Sequence, residues 1–180
     1  MMPAEYSIWL MPVAEQESAL VQTVARLSRS LGGEVFAPHV TIQGDLNAPL
    51  EELSRLVGAL AERVAVQRWQ VKQVESSEHF FRCLYLRFGD EPDFEALQGA
   101  VQAFTRTAEG LSPFPHLSLA YGDAGPGHAS ERADLSHEFA AREMVFDRLA
   151  ISRSSKNVAI ADWQCLALYP LQPPAVTSTP

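Results

Sequence analysis

Two short stretches of this chain nearly repeat one another: Pro38-His39-Val40-Thr41-Ile42 and Pro115-His116-Leu117-Ser118-Leu119. Each sets a proline, an imidazole, an aliphatic residue, a hydroxyl and a second aliphatic residue in that order. On a strand, successive side chains point to opposite faces. A strand over either stretch therefore turns its histidine and hydroxyl to one side and its two aliphatic residues to the other. Each is entered through a proline, which restricts the residue before it to extended backbone. Two strands buried on one face and polar on the other are thus required. If they face one another, two imidazoles and two hydroxyls converge.

The rest of the chain supplies a scaffold for such a pair. Residues 6–12 are short and apolar and read as a strand. Leu20, Val24, Leu27 and Leu31 fall on helical spacing, and Gly32-Gly33 stops the helix predicted over 15–31. A strand is predicted over 39–43, a turn over 45–49 and a second helix over 49–66. Residues 68–75 and 80–88 alternate in polarity around Ser76-Ser77-Glu78-His79 and read as a hairpin. Pro92 opens a third helix over 92–108. A strand over 116–121, a glycine-proline loop, a weak helix over 128–139 and strands over 144–153 and 162–170 complete the order. Both histidine motifs open the strand after a long helix, as in a degenerate internal duplication. Residues 172–180 offer nothing to bury and read as a disordered tail. Residues 1–171 read as a single bilobal domain.

Composition excludes several function classes. Lys and Arg total 14 against 22 Asp and Glu, a net charge of −8. Such a field repels duplex nucleic acid but admits a small anion held by a few placed groups. No apolar run approaches the roughly 20 residues of a membrane span, so no membrane partner is expected. The first residues lack a basic segment and a long apolar core, so a cytoplasmic monomer is expected. Cys83 and Cys165 sit in apolar runs and read as buried thiols. With no cysteine pair and no HExxH spacing, no metal or other cofactor is expected.

The quartet suits a tetrahedral phosphate. One neutral imidazole takes a proton from water as general base, and the other, protonated, gives one to a departing sugar oxygen. The hydroxyls of Thr41 and Ser118 hold non-bridging oxygens and align phosphorus for attack. The leaving oxygen of a strained cyclic phosphate needs only a proton. A single His-x-Thr means little on its own; the information lies in the pairing.

On these residues the chain resembles the 2H phosphoesterase superfamily, whose signature is a His-x-Thr/Ser motif in each half. YSIWLMP near the start, FRCLYLRF in the middle, HLSLAYGD and the closing DWQCLALYPL resemble its cyclic phosphodiesterase branch. The resemblance implies an α+β, bilobal fold with two antiparallel sheets facing a central cleft and helices packed outside. It implies metal-independent hydrolysis of nucleoside 2',3'-cyclic phosphates or of ADP-ribose 1'',2''-cyclic phosphate to a monoester. His39 and His116 match the catalytic histidines, and Thr41 and Ser118 match the phosphate-binding hydroxyls. Which histidine is the base is left open, with His116 the working choice.

Further candidates each have a plain structural alternative. Trp9 either stacks on a substrate ring or fills the core. Tyr121 faces away from Ser118 in a regular strand, unless a bend before Gly122 turns it inward. Tyr85 lies where the family borders its cleft, whereas Phe80 and Phe81 are expected in the core. Residues 153–156 read as a solvated turn, with reach to a distal phosphate as the alternative. His79, His128 and His137 are expected at the surface, and Asp45 and Asp123 in turns. Two rival functions remain: an RNA-end 2',3'-cyclic phosphodiesterase or 2'-5' RNA ligase-like enzyme, and a module that binds a nucleotide without cleaving it.

Overall fold

A computed structural model describes residues 5–123 and 128–174. Residues 175–180, within the predicted tail, and most of the glycine-proline loop lie outside the described residues. The chain runs β1 (Tyr6–Pro12), α1 (Ala14–Leu31), β2 (Val40–Leu46), α2 (Leu50–Ala61), β3 (Gln67–Gln70) and β4 (Gln73–Ser76). It continues through β5 (Leu84–Arg87), α3 (Pro92–Thr105), β6 (His116–Ala120), α4 (Ala129–Phe139), β7 (Glu143–Arg153) and β8 (Gln164–Pro170). The fold is α+β with two antiparallel sheets, as expected.

The larger sheet has the order β2-β1-β7-β3, and β8 shares with β3 the far edge of the long strand β7. The smaller sheet is β4-β5-β6. The motif strands β2 and β6 lie in different sheets and approach one another across the middle of the molecule.

Helix α1 buries Leu20, Thr23, Val24 and Leu27, and ends where Gly32 adopts φ 80°. Only a residue without Cβ takes that left-handed conformation at no steric cost. The helices do not stay with their own halves. Helix α1 packs against β6, and α3, from the second half, packs against β2. Helix α2 lies on β7 and β8, and α4 on β4. One contiguous apolar cluster therefore joins both sheets, from Ile8 and Leu10 through Leu84 and Leu86 to Leu117 and Leu119. At its centre Trp69 meets Phe88, Phe94 and Phe146.

Several expectations need correction. The run 68–75 is not one strand. It breaks at Val71-Lys72, leaving β3 paired with β7 and β4 paired with β5, so the chain crosses between sheets within two residues. The hairpin is real but shorter, because Phe80–Arg82 forms a 3-10 turn instead of the start of a strand. Phe80 is 45% exposed, not core. Cys165 is exposed on edge strand β8, whereas Cys83 is buried as expected. At the start of the predicted tail, Gln172 donates its N–H to the Val64 carbonyl and accepts from the Val66 N–H. No described helix is long and apolar enough to cross a membrane.

Candidate active site

Between β2 and β6 lies a cleft of about 430 Å³, within the roughly 300–1,000 Å³ range of small-ligand pockets. All four motif residues line it: His39, Thr41, His116 and Ser118. Val40, Ile42, Leu117 and Leu119, on the opposite faces, are each 0% exposed. Each such aliphatic burial contributes about 2 kcal/mol, so the core that closes the fold also aims the polar faces into the cleft.

The two imidazoles are held alike. His39 Nδ1 lies 2.6 Å from the Ala37 carbonyl, and His116 Nδ1 lies 2.9 Å from the Phe114 carbonyl. In both cases the acceptor is two residues back, across the motif proline. A carbonyl can only accept, so the proton sits on Nδ1 and Nε2 keeps its lone pair. Ser112 Oγ donates to the Phe114 carbonyl and stands 3.2 Å from His116 Nδ1, bracing the second ring. His39 lies flat on Trp9, with ring centroids 3.7 Å apart and 12° between planes. Burial pushes both imidazoles well below their ordinary range, His39 to about 3 and His116 to about 4. The backbone acceptors oppose burial in both. His116 adds to the lowering at His39, and Arg82 leads the charges that add to it at His116. Both rings are therefore neutral near pH 7.

The hydroxyls differ. Thr41, opposite Trp9 in the β1–β2 pairing, has no hydrogen-bond partner for its hydroxyl among the described residues. Ser118 Oγ donates to the Phe81 carbonyl at 2.7 Å, tying β6 to the Phe80–Arg82 turn. Among the described residues no group of three or more His, Cys, Asp or Glu side chains is arranged to hold a metal.

The family model for the 2'-5' RNA ligase superfamily matches residues 12–157. The chain belongs to this superfamily, the 2H phosphoesterases. Solved structures share its fold. TT0787 of Thermus thermophilus aligns with a TM-score of 0.59 and 19% identity, covering 97% of this chain and 100% of that one. E. coli LigT in apo form aligns with a TM-score of 0.60 and 15% identity, covering 96% and 99%. LigT complexed with 3'-AMP gives 0.57 and 15%, covering 95% and 99%. A search of curated proteins by sequence finds no match.

Within this 2H cleft the remaining candidates separate. Trp9 lines the cleft while only 3% exposed, and the ring stacked on it is that of His39. Tyr121 follows the last residue of β6 and does turn inward. It stacks on Phe36 at 3.6 Å and borders the cleft. Tyr85 is not among the cleft-lining residues. It stands edge-on to His116 at 5.4 Å and donates to Glu75 Oε2 at 2.6 Å. Burial and that carboxylate push its hydroxyl up to about 12. The turn after β7 is no solvated hairpin: Ser154 and Ser155 are 1% and 5% exposed and form the cleft floor with Ser7. Asp45 lies inside β2 and not in the expected turn; at a left-handed φ of 52° it accepts from the Lys156 N–H and makes no hydrogen bond to either imidazole.

Other lining residues escaped sequence reasoning. Trp163 reaches in from the end of a 3-10 turn and lies 6.0 Å from both Trp9 and Phe81. The segment Gly110–Pro113 closes the polar end. His79, exposed as expected, and Arg82 nevertheless edge the cleft beside His116. Only Ser112 carried a local signal, a hydroxyl four residues before a motif histidine.

Proposed function

We propose that the protein hydrolyses a small cyclic phosphate, a nucleoside 2',3'-cyclic phosphate or ADP-ribose 1'',2''-cyclic phosphate, to a phosphomonoester. The observation that carries this reading is the matched pair of imidazoles, each with Nδ1 committed to backbone and Nε2 free. One base and one acid on opposite sides of a phosphate is the requirement of in-line ring opening. His116 takes a proton from water, whose oxygen bonds to phosphorus. The P–O bond to the ribose breaks, and His39 delivers a proton to the departing oxygen. His116 as base is the working assignment. Trp9 lies against the face of His39, where a ring π-system favours the imidazolium. Arg82 leads the charges that disfavour an imidazolium at His116, while burial holds His39 lower still in the free protein. Since both rings are neutral in the free protein, the anionic substrate must itself raise the His39 pKa on binding.

Trp9, Trp163, Phe81 and Tyr121 form an aromatic end suited to stacking a base. LigT, of the same fold, has been crystallised with 3'-AMP, with phosphate and with NADP+, which supports a nucleotide phosphate as ligand. A net charge of −8 favours a mononucleotide-sized substrate over a long RNA end. Phosphorus NMR with adenosine 2',3'-cyclic phosphate in excess EDTA tests the reading. Conversion to one monoester by the wild type, lost in the His39→Ala, His116→Ala double variant, is the expected result. Tight binding without conversion of this or of ADP-ribose cyclic phosphate would instead make the protein a binding module.

A further inference from the structure

The charges lining the cleft are few. Arg82 and Lys156 are the only lysine or arginine side chains among the described lining residues. Lys156 is already engaged, with Nζ 2.9 Å from Glu109 Oε1 and 3.9 Å from Asp45 Oδ2. Arg82 has no carboxylate within ion-pair distance among the described residues. Glu75, on the neighbouring strand β4, is taken by the Tyr85 hydroxyl at 2.6 Å and by Arg87 at 3.4 Å. A phosphate diester entering a protein of net charge −8 thus meets neutral imidazoles, a neutralised lysine and one unpaired guanidinium.

The backbone beneath Arg82 is fixed. Its N–H donates to the His79 carbonyl at 2.9 Å, and its carbonyl accepts from Ser77 Oγ at 2.6 Å. The carbonyl just before it, that of Phe81, accepts from the hydroxyl of Ser118 at 2.7 Å. Arg82 therefore springs from the peptide unit that touches the second motif's hydroxyl. Its Cζ lies 5.3 Å from the Phe114 ring centroid, and that ring lies 5.2 Å from the His116 ring. A planar guanidinium on a pinned backbone offers two parallel donors to a phosphate, which a point-charge ammonium does not.

We propose that Arg82 is the anion anchor of the cleft, its guanidinium taking the non-bridging oxygens of the phosphate held between the two histidine motifs. Which phosphate reacts rests on the phosphodiesterase reading, but the binding itself can be measured without turnover. Sequence reading assigned Arg82 no such role because it sits at the start of the strand predicted over 80–88, where the structure has a 3-10 turn instead.

The test is a titration of wild type, Arg82→Gln, Arg82→Lys and Arg87→Gln with inorganic phosphate and adenosine 3'-monophosphate, followed by NMR of the imidazole C–H signals. Arg82→Gln should weaken both anions by about tenfold to a hundredfold, the usual effect of losing a charged hydrogen bond. Arg82→Lys should recover part of the loss. Arg87→Gln, which removes a paired cation outside the cleft lining, should change affinity by less than about twofold. The His116 pKa should rise in Arg82→Gln, since a neighbouring positive charge is gone, and so should it, less, in Arg87→Gln. The anion affinities separate the two arginines, because a merely structural arginine leaves them unchanged. Unchanged phosphate affinity in Arg82→Gln overturns the proposal, as does failure of the wild type to bind either anion. Turnover adds a second arm, using adenosine 2',3'-cyclic phosphate with and without a 5'-phosphate. An equal rise in KM on both supports the anchor, and a rise confined to the 5'-phosphorylated substrate overturns it. Arg82-dependent binding without turnover of any cyclic phosphate would sink the phosphodiesterase reading and leave the anchor standing.

Discussion

At the scale of single residues, tautomer and charge are fixed by the nearest neighbours of each ring. The carbonyls of Ala37 and Phe114 hold Nδ1–H, and replacing either histidine removes a proton carrier that nothing nearby replaces. His39→Ala or His116→Ala should each lower turnover by about 10² to 10⁴, the range for general acid–base groups. The double variant should fall little further, because the two act in one step. The hydroxyls should part company. Ser118→Ala removes the bond to the Phe81 carbonyl as well as the proposed phosphate ligand, so it should cost about 1 kcal/mol of stability in addition to activity. Thr41→Ala should lose activity alone, and urea unfolding of the two variants distinguishes them. His39, Thr41, His116 and Ser118 were legible because the two-residue period of a strand is local. Arg82, Ser154 and Trp163 were not, because what they face is decided by distant backbone.

At the scale of elements, the cleft is shaped by where strands stop. The Val71-Lys72 break lets one run serve two sheets, and the 3-10 turn at Phe80–Arg82 swings Phe81 and Arg82 to the cleft edge. Alternation in the sequence could not reveal either, since polarity continues through the break. The polar end is closed where Gly110, at φ 76°, passes Gly44. The Gly44 N–H donates to the Gly110 carbonyl at 2.8 Å. A Cβ on Gly110 would stand 1.9 Å from the Gly44 carbonyl oxygen. Gly110→Ala should therefore cost about 1–3 kcal/mol from backbone strain and the clash. The loop should be pushed off β2, raising KM more than it lowers kcat. Denaturant midpoints and steady-state kinetics report the two effects separately.

At the scale of the whole molecule, the halves are interlocked by their helices. With α1 against β6 and α3 against β2, neither half retains its core alone. Fragments cut within the segment joining β4 to β5 should each be unfolded by circular dichroism, and mixing them should restore structure. Stability against pH belongs to this scale too. Folded-state pKa values of about 3 and 4 lie below the ordinary 6.5. Between about pH 4 and 6.5 the unfolded chain therefore binds more protons, and stability rises with pH across that window. By pH 5 the loss should be on the order of 2 kcal/mol for each histidine, and nothing further is gained from these groups above 6.5. Urea midpoints at pH 5 and 7 should show this difference, reduced in the His39→Asn, His116→Asn variant.

The sequence alone determined the element order outside residues 68–82, the two motif strands and the four groups that line the space between them. Helical and strand periods, a stop at Gly32 and a proline before each histidine are local properties of the chain. Only the tertiary structure decided that Trp9 lies flat on His39, that Tyr85 stands behind His116, and that Lys156 is neutralised while Arg82 is left free. These follow from sheet pairing, from the exchange of helices between halves and from burial. All three depend on segments far apart in sequence, whose proximity no local pattern encodes.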